Sequence, residues 1–353
     1  MSQQRALLCG YYGCGNAGDE ALLAALLQML PAGISPIALS GNPAQTSDHF
    51  GIASYPGRSA GSVLRALRSS DWFIWGGGSL MQDATSWRNP LYYGGLMALA
   101  QQQGLGTIAW AQGIGPLRQP LTRWVARRAL AGCDAISVRD SASAQWLEQW
   151  GLPARLAPDP VWALEAPTVA EAAALPVPWV AVTLRAHPQL TQRRLATLAA
   201  ALQQFQHATQ AYLAFIPFQP ERDCAIAQAA AAELDGPYSI LTLSDPVAFK
   251  GAFCGSEMAI SMRFHGLIAA AAAGCRCFAI GYDPKVRQLQ QDLGLPGWSL
   301  AQLPADADAI ARAWIAHYRE GRPLPPAQRQ ALRDRARQHQ ALLAAALQLS
   351  GRQ

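Results

Sequence analysis

The sequence is poor in charge and in long apolar runs. Asp, Glu, Lys and Arg make up 14% of the 353 residues, against roughly 25% in an average soluble protein. The hydrophobic fraction of 51% excludes a mainly disordered chain, because disordered segments are apolar-poor and charge-rich. The longest apolar runs, such as residues 267–274, fall far short of the ~20 residues that a bilayer-spanning helix needs. At roughly 150 residues per domain, the length predicts about two domains.

The chain also lacks dense basic clusters and a cysteine framework. The formal net charge is +5, but no four basic residues are adjacent, so nucleic acid is not an expected partner. The seven cysteines are scattered, and Cys275 and Cys277 lack the spacing of a zinc site. This cysteine usage is typical of a reducing compartment. With no secretory signal at the start, we expect a cytoplasmic chain.

Short buried strands alternate with amphipathic helices along most of the sequence. This alternation predicts α/β domains with parallel sheets covered on both faces. A proline-rich stretch at 153–178 interrupts it. We predict two doubly wound, Rossmann-like domains facing a cleft, at residues 1–160 and 161–325, and then a C-terminal helix at 326–353. That helix, basic at first and then leucine-rich, is expected to pack back across the domains, with contact to a membrane surface as a second interpretation.

Glycine-rich segments follow three predicted strands of the first domain, at residues 13–18, 76–78 and 112–116. The first matches GxGxxG before a helix, where backbone N–H groups favour an anion. Asn16 is favoured for function, while Asp19 either complements the helix dipole or is functional. The second predicted strand ends at residues 39–42 without an acid, so a dinucleotide is not expected. Three such loops predict one polyhydroxylated or phosphorylated ligand.

Cationic side chains follow predicted strands of the second domain. Arg263 and His265 stand where a strand passes into an alanine-rich helix. If the chain is still extended there, both point to the same side and form an anion site with the helix N-terminus. Arg185 and Lys285 also follow strands of this domain. Arg139 ends a strand of the first domain, and pairing with Asp140 at the surface is the alternative to a role in the site. A helix is also predicted at 246–253.

The motifs, taken in order, resemble the polysaccharide pyruvyl transferase family, specifically its CsaB type. The match lies in six blocks, at residues 10–21, 76–83, 112–116, 137–141, 158–160 and 261–265. The resemblance implies two domains like those of GT-B glycosyltransferases. It also implies transfer of the pyruvyl group of phosphoenolpyruvate onto two hydroxyls of a sugar. The product is a cyclic ketal on a cell-wall or exopolysaccharide precursor, and phosphate is released without metal or cofactor.

The resemblance assigns phosphoenolpyruvate to the second domain and the sugar to the first. It implies donor binding by Arg263, His265 and a downstream lysine, which fits Lys285, and acceptor binding by Asn16, Gly18 and Asp19. The anionic donor needs further cations, for which we add Arg139 and Arg185. Our proposed catalytic residues are His265, as proton donor or phosphate ligand, and Asp19, as base. The glycine-rich segment at 76–78 and the residues that follow it add further acceptor-binding candidates, namely Gly77, Gly78, Ser79, Gln82 and Asp83.

Two other functional classes stay open on the sequence. A nucleotide-sugar glycosyltransferase or epimerase on the same fold would release a nucleoside diphosphate. Against this class, the sequence has no obvious acid at the strand ends of the second domain to bind a ribose. A non-catalytic module would bind phosphoenolpyruvate or a sugar phosphate without turnover. The expected acceptor is a lipid-linked or polymeric sugar handled at the inner face of the membrane. The sequence fixes neither the sugar nor the oligomeric state.

Overall fold

The chain folds into two compact units. The computed structural model describes residues 3–243, 245 and 248–349. The first unit takes the chain up to Leu164 and again from Ala331, and the second runs from Glu165 to Gln330. Each unit contains one parallel β-sheet with helices between most successive strands. The predicted fold class, two doubly wound α/β domains, is therefore confirmed.

The first unit contains a seven-stranded parallel sheet. Its strands are β1 (Gln4–Cys9), β2 (Ile34–Ser40), β3 (Ala53–Pro56), β4 (Trp72–Met81), β5 (Gly106–Ile114), β6 (Ala135–Val138) and β7 (Arg155–Leu156). Its helices are α1 (Ala17–Met29), α2 (Pro43–Phe50), α3 (Ala60–Arg68), α4 (Arg88–Gln102), α5 (Pro120–Ala131) and α6 (Ser141–Gln149). The spatial order β3-β2-β1-β4-β5-β6-β7 reverses direction between β1 and β4. Ligands of such sheets bind beyond the strand ends at this reversal.

The second unit repeats the same winding in a six-stranded sheet. Its strands are β8 (Trp179–Thr183), β9 (Tyr212–Phe215), β10 (Tyr238–Ile240), β11 (Met258–Ser261), β12 (Arg276–Gly281) and β13 (Gly297–Ser299). Its helices are α7 (Ala170–Ala173), α8 (Gln192–Thr209), α9 (Pro220–Ala231), α10 (Phe264–Ala273), α11 (Pro284–Leu293) and α12 (Ala307–Glu320). The order β10-β9-β8-β11-β12-β13 reverses between β8 and β11. The segments after these two strands are therefore placed for a ligand.

The core sits on both faces of each sheet. Strand residues on opposite faces, such as Phe73 and Ile74 in β4, are both fully buried. This explains why the strands are near-continuous apolar runs and do not alternate with polar residues.

Two glycine-rich segments predicted to be loops are strands instead. The triplet at 76–78 lies inside β4, and residues 112–114 lie inside β5. Gly77 and Gly78 have φ of +84° and +87°, and the β4–β5 register shifts between Gly78 and Met81. The glycines thus form an irregularity in the strand, and residues 76–78 belong to the sheet and not to a free loop.

Two helix predictions also need correction. In the predicted helix at 246–253, residues 246 and 247 lie outside the described residues, and the rest has only a single 3₁₀ turn at Gly251–Phe253. The predicted long C-terminal helix is two helices, α13 (Pro326–Ala336) and α14 (Gln338–Leu349). α14 packs against β5, β6 and β7 and buries His339, Leu343 and Leu347. The break before α14 lets this apolar face join the first unit.

Candidate functional site

The turn between β1 and α1 is shaped by left-handed glycines. Gly13 and Gly15 have φ of +66° and +67°, a conformation that glycine adopts without penalty. A Cβ on Gly13 would also overlap Ser40 Oγ. The Gly13 N–H donates to Glu20 Oε1 at 2.7 Å. The turn is therefore held tightly against the start of α1.

Asn16, Asp19 and Gly78 come together beyond the ends of β1 and β4. Asn16 is the N-cap residue of α1, but its side chain donates to Asp19 Oδ2 and does not bond the helix backbone. A Cβ on Gly78 would lie 3.5 Å from Asp19 Oδ1. The absence of a side chain on Gly78 leaves room beside this carboxylate. Gly18 is buried in α1, so its contribution is close packing.

Glu20 is a residue of this turn to which the sequence analysis gave no role. Its side chain accepts the Gly13 N–H, and the residue is buried. Burial raises the pKa of Glu20 to about 7, with the neighbouring Asp19 charge adding to the rise and hydrogen bonds from Gly13 and Cys14 opposing it. The signal that could have found it is two consecutive carboxylates in the first turn of a helix otherwise made of apolar residues.

Gln82 and Asp83 have local structural contacts. Gln82 Oε1 accepts the Thr85 N–H at 3.1 Å. Asp83 Oδ2 accepts from Arg118 N at 2.7 Å, Gln119 N at 2.9 Å and Thr122 Oγ1 at 2.7 Å. These hydrogen bonds overcome the effect of desolvation and lower the pKa of Asp83. Both residues brace the ends of β4 and α5, so we leave them out of the site proposed below.

Arg139 forms a buried ion pair that links three strand ends. Its Nη1 lies 2.8 Å from Asp159 Oδ2, with both side chains 2% exposed, and its Nη2 donates to Ser79 Oγ at 3.0 Å. The alternative of a surface pair with Asp140 is wrong, because Asp140 instead caps α6 by accepting the Ser143 N–H at 2.7 Å. The ion pair therefore holds Ser79 in place. Arg139 belongs to the first unit, whereas the other four predicted donor ligands, Arg185, Arg263, His265 and Lys285, lie in the second.

Gly77 is close to apolar side chains. A Cβ there would lie 3.3 Å from Leu22 Cδ2 and 3.6 Å from Trp110 Cζ3. Its φ of +84° lies in the left-handed region, which glycine adopts without penalty. Gly77 therefore shapes the site through its backbone.

Arg263 lies at the reversal point of the second sheet. It is the N-cap residue of α10, directly after β11, and its guanidinium pairs with Asp223. The Nε of Arg263 and the Oδ1 of Asp223 are buried without a hydrogen-bond partner. Burial lowers the pKa of Arg263, with Asp223 opposing the shift. Asp223, which the sequence analysis missed, is thus the counter-ion that orients this cation.

Arg185 and Lys285 lie around the same strand ends. Arg185 follows β8, and its Nη1 donates to the Tyr282 hydroxyl, with the guanidinium 5.0 Å from the centre of the Tyr282 ring. Lys285 Nζ lies 5.8 Å from the centre of the Phe264 ring and 3.9 Å from Asp283 Oδ2. The structure therefore brings these two predicted residues to the edge that carries Arg263.

His265 belongs to the first turn of α10. The helix begins at Phe264, so the premise of an extended chain from Arg263 to His265 is wrong. The strand ends at Ser261, where the Arg263 N–H donates to Ser261 Oγ at 3.1 Å and starts the turn. His265 is half-buried at a helix N-terminus, where free N–H groups and the helix dipole favour an anion. With α11 beginning beside Lys285, two helix N-termini and three cations meet at this edge.

A family model matches most of the chain. A family model described as polysaccharide pyruvyl transferase matches residues 16–284. The chain belongs to this family. The matched range begins at Asn16 and contains every predicted site residue except Lys285, which follows its last residue. Membership of a transferase family supports an enzyme that acts in polysaccharide biosynthesis. No curated protein matches the sequence.

Solved structures with this fold are GT-B-like enzymes. The UDP-GlcNAc 2-epimerase from Methanocaldococcus jannaschii matches with a TM-score of 0.64 at 10% identity, covering 97% of this chain and 99% of that one. The enzyme of that name from Neisseria meningitidis, bound to UDP-GlcNAc, gives 0.63 at 10% identity, covering 98% and 99%. A glycosyltransferase from Rickettsia africae gives 0.52 at 13% identity, covering 99% and 98%. At these identities the likeness concerns the fold alone.

The described residues show neither a metal-binding cluster nor a membrane-spanning helix. No group of three or more His, Cys, Asp or Glu side chains is placed to hold a metal ion in the described part of the chain. Among the helices that the structure describes, none combines the length and the apolar character required to cross a membrane.

Proposed function

We propose that this protein transfers the pyruvyl group of phosphoenolpyruvate onto two hydroxyls of a sugar, forming a cyclic ketal and releasing phosphate. The observation that carries the proposal is the cation cluster at the reversal point of the second sheet. Arg185, Arg263 and Lys285 surround the N-terminus of α10, in which His265 occupies the first turn.

The donor explains why so many cations are needed there. Phosphoenolpyruvate carries a phosphate and a carboxylate on the same carbon, and guanidinium groups bind both in a fork geometry. Asp223 and Asp283 offset part of the positive charge, which leaves a site that favours a small polyanion. Arg139 remains a candidate fifth ligand, although its buried pair with Asp159 supports a structural role.

The residues allow a balanced reaction. A proton adds to the methylene carbon of phosphoenolpyruvate, which becomes the methyl group and leaves the adjacent carbon cation-like. The first sugar hydroxyl adds to that carbon and loses its proton to a base, for which we propose Asp19. The second hydroxyl then displaces the phosphate by C–O cleavage, and its proton leaves with the phosphate. His265 serves as the proton donor or holds the leaving phosphate.

The acceptor half of the proposal rests on the first unit. Asn16 fixes one oxygen of Asp19 by hydrogen bonding, and Gly78 leaves space beside the other. A carboxylate held in one orientation through Oδ2, with only a glycine beside Oδ1, suits deprotonation of a hydroxyl. The β1–α1 turn supplies further backbone groups for a sugar.

The alternative is a nucleotide-sugar glycosyltransferase or epimerase. The solved structures with this fold include an epimerase bound to UDP-GlcNAc. The two hypotheses differ in their leaving group, because phosphoenolpyruvate yields inorganic phosphate and a sugar nucleotide yields a nucleoside diphosphate.

Release of inorganic phosphate tests the proposal. The purified chain is incubated with phosphoenolpyruvate and a panel of glycolipid or polymeric acceptors, and separately with UDP-sugars. We expect acceptor-dependent phosphate from phosphoenolpyruvate, and a His265→Ala variant should lose at least 100-fold in rate. The matched control is His207→Ala, which changes an exposed histidine of α8 in the same unit. Nucleotide release from a UDP-sugar, or full activity of His265→Ala, contradicts the proposal.

A further inference from the structure

Helix α5 presents apolar and basic side chains to solvent on the same surface. Leu121 and Trp124 are 50% and 64% exposed, and their spacing of three places them side by side on the helix. Arg127 and Arg128 follow on the exposed side, and exposed Arg118 precedes the helix. We call these five residues the α5 surface.

The exposure of the α5 surface does not result from incomplete packing of the helix. The inner side of α5 is filled by Thr122, Ala126, Ala129 and Leu130, which are all buried. Arg123 is turned back onto the protein, because its Nε donates to the Leu117 carbonyl at 2.7 Å. A large indole left in water beside arginines, on a helix whose core contacts are complete, indicates a surface with an external partner.

The chain segment that carries this surface is basic, and the Asp83 carboxylate at the start of α5 already accepts hydrogen bonds from Arg118 N, Gln119 N and Thr122 Oγ1. No Asp or Glu occurs anywhere from residue 84 to residue 133, a stretch that contains five arginines. All 23 acidic residues of the chain lie outside this stretch, where they accompany the other cations. Opposite charge on the partner is therefore the expected complement.

The position of α5 relates this surface to the proposed acceptor site. The helix follows β5, so it begins at the carboxyl-end edge of the first sheet, and its start is tied to the end of β4 through Asp83 and Thr122. This is the same edge that carries Asn16, Asp19 and Gly78. A partner on the α5 surface would therefore lie next to the sugar.

We propose that the α5 surface docks the protein on an anionic lipid bilayer. Tryptophan prefers the interface between headgroups and acyl chains, leucine adds buried apolar area, and arginines are attracted to acidic headgroups. α14 was our alternative membrane anchor from the sequence, but its Leu343 and Leu347 are buried against the first unit, at 0% and 4% exposure. The α5 surface therefore replaces α14 as the membrane-facing element.

Vesicle co-sedimentation with the full chain tests this proposal. The probes are vesicles of phosphatidylcholine alone and of phosphatidylcholine with 30 mol% phosphatidylglycerol, at about 50 and 300 mM salt. We expect binding only to the anionic vesicles, weakened by salt. Arg127→Gln with Arg128→Gln should lower the partition coefficient by roughly 10- to 30-fold, and Trp124→Ser should lower it by about tenfold.

The matched control is Arg65→Gln with Arg68→Gln, which removes the same charge from exposed positions of α3 in the same unit. Equal losses in both double variants would mean that only net charge matters and would overturn the proposal. So would equal binding to neutral vesicles, or no binding at all. Concentration-dependent self-association that Trp124→Ser abolishes, without vesicle binding, would assign the surface to a second copy of the chain. The assay measures binding and not phosphate release, so its failure is separate from failure of the proposed reaction.

Discussion

Two buried titratable groups of the first unit should give opposite pH dependences of stability. His339 of α14 is fully buried, with Nε2 3.0 Å from the Pro158 carbonyl and Nδ1 2.9 Å from Ser137 Oγ. A carbonyl can only accept, so Nε2 carries the proton and Nδ1 accepts from the Ser137 hydroxyl. Protonation of Nδ1 removes that acceptor and buries a charge. Glu20 is the converse case, a buried carboxyl that is favoured when neutral.

The sign of each effect follows from its pKa shift. Burial lowers the pKa of His339 from 6.5 to about 4, so its contribution is present above pH 6.5 and is lost as the pH falls through 4. Burial raises the pKa of Glu20 from 4.5 to about 7, so its contribution is present below pH 4.5 and is lost as the pH rises through 7. Each shift corresponds to about 3 kcal/mol. Between pH 4.5 and pH 6.5 the two contributions change in opposite directions, so they nearly cancel in the free energy of unfolding of the natural protein.

Single variants should unmask each contribution. We expect His339→Gln to gain about 3 kcal/mol relative to the natural protein as the pH falls from 7 to 4. We expect Glu20→Gln, which keeps an oxygen for the Gly13 N–H, to gain about as much as the pH rises from 4.5 to 7.5. The assay is urea unfolding followed by tryptophan fluorescence and circular dichroism at each pH. Losing a hydrogen bond shifts the free energy of unfolding by the same amount at every pH. We therefore compare how the free energy of unfolding of each variant changes with pH. Curves that run parallel to the natural protein's would refute the reasoning.

Two further predictions concern stability in the first unit. Asp159→Asn leaves the Arg139 charge without its counter-ion in a 2% exposed site, so it should lower the free energy of unfolding in urea by about 3–5 kcal/mol. The control is Glu257→Gln, in a half-exposed ion pair, which should cost under about 1 kcal/mol. Similar losses in both variants would contradict the burial argument. Gly76→Ala places a methyl group against Tyr12 Oη and should cost about 1–3 kcal/mol. Adding Tyr12→Phe should recover part of that loss in a double-mutant cycle, and strict additivity would show that the overlap is not the cause.

Much of the fold could be predicted because buried parallel strands carry a strong local signal. The apolar runs at 135–138 and 258–261 predict two strands, and the alanine-rich run at 264–273 predicts a helix. β6, β11 and α10 have these bounds, since each run is limited by polar residues or glycine. The glycine-rich part of β4 was misassigned because glycine has no strand preference of its own, and pairing with β5 makes it a strand. The short β3 and α2 were missed because neither presents a long apolar pattern.

The site could be predicted only in part. The strand ends place Arg185, Arg263 and Lys285 correctly at one edge, because parallel strands share their direction. The partners of these cations are distant in sequence, so Asp223 could not be inferred from local pattern. The same holds for His339, which meets Ser137 across 202 positions. Contacts of that kind depend on packing that no local spacing encodes.

Calorimetric titration with phosphoenolpyruvate and, separately, with UDP tests the central claim most directly. We expect saturable heat with phosphoenolpyruvate and little or none with UDP. Lys285→Gln should reduce the affinity for phosphoenolpyruvate about tenfold or more, whereas Arg193→Gln, which changes an exposed cation of α8, should leave it unchanged. Tight binding of UDP without binding of phosphoenolpyruvate would contradict the central claim and assign the second unit to a nucleotide.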